Sequence, residues 1–443
     1  MSHNKLTSYG CIIIGLIYYI YQGYFIERSS HLELISSFFL LFLSYLWLQK
    51  TKEIRWKEIL WIGIGFRLIL LFSTPWLSQD FYRFFWDGEI QLLGFNPYEF
   101  SPNELFSSDK KSLFSKTLYE RMGNLSQSNY SNYPPVSQWL FTVLTFVSNG
   151  KLFPMIIGLR FVHIVVDIGL FFIGTKLLKK LKLPKKNIGW YFLNPLVIVE
   201  LIGNLHGEGL MLLFLLFAVF MLTENRLLIA GIFMAMGVGA KLIPLFFLLI
   251  LIYPQKWKDR FCFLGSFGLS SLVIWGPYLS ILMGGNYWLT IRLWFDTFEF
   301  NGSIYNLIRS IGYQIRGYNI IKIIGKFMPF FVMGMVFIFS ILKKNDTLSR
   351  RFKSMLFLIT TYFFISTTVH PWYVITPLLF CVFTNYRFAL LWSATVTLSY
   401  TSYGIHEFYT SPLILFLEYL PVYLLLILEI SEKDNHIKAF VRN

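Results

Sequence analysis

The chain has 443 residues, of which 55% are hydrophobic, 19% aromatic and only 14% charged, a balance that excludes an ordinary soluble domain. Its formal net charge of +15 raises the question of nucleic acid, but the lysines and arginines cluster in short segments between apolar runs, where they act as topology signals. Cys11, Cys262 and Cys381 fall in separate segments without motif spacing, too few for a disulfide framework or a metal knuckle.

Apolar runs of roughly 15 to 25 residues recur along the chain, as crossing about 30 Å of hydrocarbon requires, and the backbone there must bond within helices. The expected fold is therefore all-α: a polytopic membrane protein with roughly 12 to 14 membrane helices, read as one integral membrane domain over residues 1–443. The first run, Cys11 to Phe25, has no A-x-A-like site after it and is expected to stay as a signal anchor.

Basic groups follow at Lys50 to Lys57, Lys176 to Lys186, Lys256 to Arg260 and Lys343 to Lys353, and all four are assigned to the cytoplasm. Two spans before Lys50 and one over Ile59 to Ser73 then carry residues 74–134 to the extracytoplasmic side. Val136 to Ser148 would invert the lysine-rich segments if it crossed, so residues 135–150 are read as an interfacial helix. Leu227 to Tyr253 has basic groups at both ends and is interrupted by Lys241 and Pro244, which fits a helical hairpin with Lys241 near its outer tip. Polar stretches at Gly203 to Gly209, Met283 to Ser303, His370 to Tyr373 and Ser402 to Ser411 emerge on the same outer face.

The polar chemistry begins at Ser78. On a helix N-capped by Ser78, Asp80, Arg83 and Asp87 share one side, while Phe81, Phe85 and Leu92 lie away from it. Asp80 then sits in the first turn, where the positive helix end favours an ionised carboxylate, although a plain helix-start acid paired with Arg83 gives the same pattern. Gly94 ends that helix and Asn96-Pro97 turns the chain.

Arg160, His163 and Asp167 form a stripe in an otherwise apolar helix, either an Arg–Asp lock between helices or part of a site. His206 and Glu208 stand two apart where one span leaves and another returns, which suits a metal pair no better than a solvated turn. Lys241 at membrane depth needs a counter-charge, and a phosphate would satisfy it as well as snorkelling to the interface. Arg292, Arg309 and His370 are further cationic or protonatable candidates, Asp296 and Glu299 are further acids, and Trp372 and Tyr373 read as interface anchors.

The segments "QDFYRFFWDG", "GFNPY", "YPPVSQ", "NPLVIVELIGNLHGEGL", "GAKLIPL" and "HPWYVITPLL" stand in the order found in prokaryotic polyprenol-phosphate-dependent mannosyltransferases of the GT-C class, and the chain resembles that family from about Ser78 to Leu379. A more distant likeness runs to the eukaryotic enzyme that adds the first mannose of GPI anchors. The resemblance implies an integral membrane glycosyltransferase of GT-C type that takes a polyprenyl-phosphate-linked sugar and inverts the anomeric carbon, with its active site on the extracytoplasmic face of a bacterial cytoplasmic membrane. Its acceptor would be a glycan or lipid-linked glycan. By position, Asp80 would be the catalytic carboxylate and Asp87 the second acid, with Arg83, His206, Glu208, Lys241, Arg292 and His370 binding substrate. Glu208 stands where that family more often has Asp. The acidic motif lacks adjacent aspartates, so no metal and no cofactor are expected, and neither is nucleic acid. A secondary transporter or lipid flippase is the alternative, set back by the lack of an inverted repeat, and a non-catalytic scaffold would leave the outer acids without a role.

Overall fold

The computed structural model describes residues 3–279, 284–403 and 411–442. Met283, most of the stretch Ser402 to Ser411 and the side chain of Asp296 lie outside what is described. The protein is an all-α polytopic membrane protein, and among the described residues its extended pairing is confined to isolated bridges from Phe300 and Asn301 to Thr368. Among the described residues, five helices are long and apolar enough to cross a bilayer alone: His31–Lys50, Leu152–Lys180, Trp257–Tyr278, Ile321–Leu342 and Pro412–Glu432. A bent pair, Pro195–Gly203 and Glu208–Thr223, makes a sixth if taken as one span. Shorter apolar helices include Pro135–Val147, Leu227–Ala240, Ile243–Ile252 and Pro371–Val382.

The divisions have local causes. Prolines at Pro195, Pro244 and Pro371 occupy the first turns of new helical segments, where a missing N–H costs nothing. Ile198–Gly203 and Ile338–Leu342 wind as π-helix, a form that recurs at functional sites. The outer helices show Leu269, Leu272, Phe327, Phe330, Leu424 and Ile427 to the surroundings, the surface a helix presents to lipid.

For the site, nine elements matter: α1 (His3–Tyr24), α2 (His31–Lys50), α3 (Trp56–Ile69), α4 (Asp80–Leu92), α5 (Pro135–Val147), α6 (Leu152–Lys180), α7 (Pro195–Gly203), α8 (Glu208–Thr223) and α9 (Leu227–Ala240). Every residue of α7 is buried, so it forms the centre of the bundle. Asp167 on α6 is locked there by Arg67 of α3 at 2.9 Å and by the Tyr191 hydroxyl at 3.0 Å. Arg160, the other end of the stripe, instead donates to the carbonyls of Leu71, Ser73, Ile202 and Gly203, tying the end of α3 to the end of α7. The lock is real, but its cation comes from another helix.

Thirteen residues make α5 only about 20 Å long, too short to cross, and it lies against α4. Gly88 permits that approach, because a Cβ there would stand 2.7 Å from the carbonyl oxygen of Phe141. The Lys50–Lys57 turn and the Lys185–Lys186 turn line one groove. Helix α3 and its 3-10 extension, Trp56 to Phe72, separate that groove from the Asp80 segment by about 25 Å.

Candidate active site

Helix α4 is driven into place by its aromatic side. Phe81, Phe84, Phe85, Trp86 and Ile90 are buried in a cluster with Phe141, Met155, Ile156 and Leu159. The helix is capped by Gln79, one residue later than expected, while Ser78 Oγ accepts from the Asp80 amide at 3.2 Å. Gly94, at φ +82, takes the left-handed position that closes the helix, with Phe95 N bonding Ile90 O at 2.9 Å. Asn96 Oδ1 then accepts from Tyr98 N at 2.9 Å to turn the chain.

Asp80 and Asp87 share a helix face but not an environment. Seven residues separate them by about 10 Å along the axis, enough to put Asp87 beneath α5 and leave Asp80 beyond it. Asp87 is fully buried and accepts from Arg83 Nε at 2.7 Å, Ser131 Oγ at 2.6 Å and Gln138 Nε2 at 2.9 Å. Arg83 also donates to the Asn129 carbonyl at 2.8 Å. These bonds pin the loop to α4 and α5, and neither residue lines the neighbouring cavity.

The break between α7 and α8 supplies the facing wall. Asn204 Oδ1 accepts from the amides of Trp76 and Leu77, which fixes the approach to α4 against the break. Leu205 follows at φ +67, a left-handed conformation that costs a branched side chain strain and turns the chain by 111°. His206 lands between two acids: its Nδ1 is 2.7 Å from Glu200 Oε2 and its Nε2 is 3.8 Å from Asp80 Oδ2. Burial opposes charge on that imidazole, but the two neighbouring carboxylates, Asp80 and Glu200, outweigh it and raise it to about 9. Burial likewise opposes ionisation of Asp80, and the facing imidazolium outweighs it, holding the carboxyl below its ordinary value. Asp80 is an ionised carboxylate that keeps 34% of its side chain accessible.

That accessible side opens on a cavity of about 480 Å³, within the range of small-ligand sites. Lys241 lines it from the point where α9 breaks and the backbone becomes extended, and its ammonium pairs with Glu208, buried at the first residue of α8. His370 enters from the loop held by the pairing of Phe300 with Thr367 and Val369. An aromatic column runs along this wall: His206 stacks on Trp372 at 3.6 Å, Trp372 on His370 at 4.3 Å, His370 on Phe300 at 4.8 Å and Phe300 on Tyr403 at 5.0 Å. Arg28, in the turn between α1 and α2, ends the column with its guanidinium 3.7 Å from the Tyr403 ring centre.

The structure thus brings Asp80, His206, Lys241 and His370 to one cavity and sets Glu208 behind Lys241. Arg83 and Asp87 lie behind α4, and Arg292 is exposed on another helix. Arg309 and Glu299 pair with each other away from the cavity. His163 does line it, while Arg160 and Asp167 of the same stripe act structurally. Arg28 and Tyr403 complete the polar wall and Glu200 stands buried behind His206, three residues the sequence pattern does not single out. Glu200 lies six residues before His206 in an apolar run, where only the π-helical winding of α7 turns it toward the break.

A family model described as the N-terminal domain of alpha-(1->6)-mannopyranosyltransferase matches residues 18–254, which include Asp80, Glu200, His206, Glu208 and Lys241. A relative, alpha-(1->6)-mannopyranosyltransferase B of Corynebacterium glutamicum, is 24% identical over 149 residues, 33% of this chain. The match spans 24% of that relative's length.

Proposed function

We propose that this chain, which belongs to the alpha-(1->6)-mannopyranosyltransferase family, moves mannose from a polyprenyl-phosphate donor to a hydroxyl of a glycan or lipid-linked acceptor, with inversion at the sugar's C1. The observation that carries this reading is Asp80: a carboxylate kept ionised by His206, open to a cavity lined by aromatic faces. A base so placed takes the proton of the acceptor hydroxyl as its oxygen bonds C1, while the C1–O bond to phosphate breaks and the electron pair leaves with the phosphate. A carboxylate with a depressed pKa is a weak base, so much of its contribution is to orient the hydroxyl for attack. An α linkage made with inversion starts from a β-linked sugar phosphate.

His206 acts as a positioning residue, held by Glu200 and aimed by the left-handed turn at Leu205. A donor whose tail stays in the bilayer needs its head group at one interface. The basic groove at Lys50–Lys57 lies at the far end of α3 from the Asp80 segment, and lysines favour the cytoplasm, so we assign the reaction to the extracytoplasmic face of the membrane.

The test is direct. Detergent-solubilised protein, given polyprenyl-phosphate mannose labelled in the sugar and a mannan acceptor, should release polyprenyl phosphate and label the glycan. A β-linked donor that stays intact while crossing vesicles would instead mark a transporter.

A further inference from the structure

The proposed chemistry creates a second negative charge on the departing phosphate, which changes from a diester to a monoester as the C1–O bond breaks. A cation must meet it, and the cavity's obvious cations are engaged. Lys241 is paired with Glu208, and His206 stands between Asp80 and Glu200. His370 is pushed by burial down to about 3 and carries no charge at neutral pH.

We propose that Arg28 is the phosphate-binding residue of this cavity, and that the donor's phosphate sits at the Tyr403 end of the aromatic column with the sugar lying between it and Asp80. The inference rests on the donor class proposed above. Arg28 lines the cavity, and its Nε is buried with no hydrogen-bond partner among the described residues. A buried, unanswered donor on a charged group is costly and calls for a ligand. Nε is also one of the two parallel donors through which a guanidinium grips a phosphate, and the Tyr403 ring beneath it fixes the plane of that fork. The chain supplies this cation from the turn between α1 and α2, so the first two helices contribute to the site by carrying it.

The experiment uses the full-length protein in detergent with three probes: polyprenyl monophosphate, polyprenol and inorganic phosphate. In the unmodified protein, polyprenyl monophosphate should protect Arg28 from phenylglyoxal, mapped by mass spectrometry, and polyprenol should not. Arg28→Gln should weaken polyprenyl monophosphate binding roughly 10- to 100-fold and leave polyprenol binding unchanged. Arg28→Lys, which keeps charge but loses the fork, should fall between them. Should Arg28→Gln fail to fold, protection in the unmodified protein still decides. Binding of polyprenyl monophosphate with Arg28 unprotected, or equally by Arg28→Gln, overturns the assignment and leaves the donor class standing. Protection by inorganic phosphate at the lipid's own concentration overturns the lipid source. No binding of polyprenyl monophosphate by the unmodified protein overturns the donor class itself, and this assignment with it.

Discussion

Lys241 and Glu208 meet across 33 residues of chain, joining the extended break after α9 to the first turn of α8. The carboxylate is fully buried and the lysine keeps 24% exposure, so most of the desolvation falls on the acid. Lys241→Met should therefore cost about 3 kcal/mol, the low end for a broken buried pair, by leaving Glu208 without its cation. The double variant with Glu208→Gln should recover at least half of that loss. Thermal unfolding in one detergent measures both, and strictly additive losses would deny the coupling.

Asp87 should behave as a structural acid. Replacing it by Asn leaves Arg83 buried without a matching charge and should lower stability by about 3 kcal/mol, while turnover per folded molecule drops less than tenfold. A loss of turnover beyond 100-fold in a folded Asp87→Asn protein would return Asp87 to the chemistry.

The approach of α4 to α5 depends on a missing side chain. Gly88→Ala places a Cβ against the Phe141 carbonyl and should cost about 1–3 kcal/mol with a parallel loss of transfer. Adding Thr145→Ala should not restore it, because the backbone contact at Phe141 remains. Full rescue by that second change would show that the side chain alone sets the spacing.

The His206 imidazolium sets an alkaline limit. With a folded value raised to about 9, its charged form contributes stability in full below the ordinary 6.5 and loses it as pH rises through about 9. Asp80, held below its ordinary 3.8, contributes above that value and is lost as pH falls through its lower folded value. Transfer should thus be level between about pH 6 and 8 and decline above about 9. His206→Gln should lower turnover and erase the alkaline decline; a variant that keeps the same decline would place the titration elsewhere.

Much of this site could be read from residues in order, because polar groups are scarce enough in an apolar chain for each to stand out. Asp80, His206, Lys241 and His370 were singled out in that way and share one cavity. Helical spacing put Asp87 on the face of Asp80 but could not tell that α5 would cover one and spare the other. Asp167 drew its partner Arg67 from 100 residues away, a distance no local pattern spans. Arg28 is a single arginine in a short turn, and only the return of the chain at Tyr403 gives it a place. The all-α polytopic fold could be read from the apolar runs, and the break at Lys241 and Pro244 from its residues, whereas the π-helical winding at Ile198–Gly203 and Ile338–Leu342 left no local mark.

The central claim is that Asp80 carries the transfer. Purified Asp80→Asn protein, assayed with polyprenyl-phosphate mannose and an acceptor glycan, should lose about 10²- to 10⁴-fold in turnover while binding the donor as the unmodified protein does. Transfer at the unmodified rate in that variant would contradict the account.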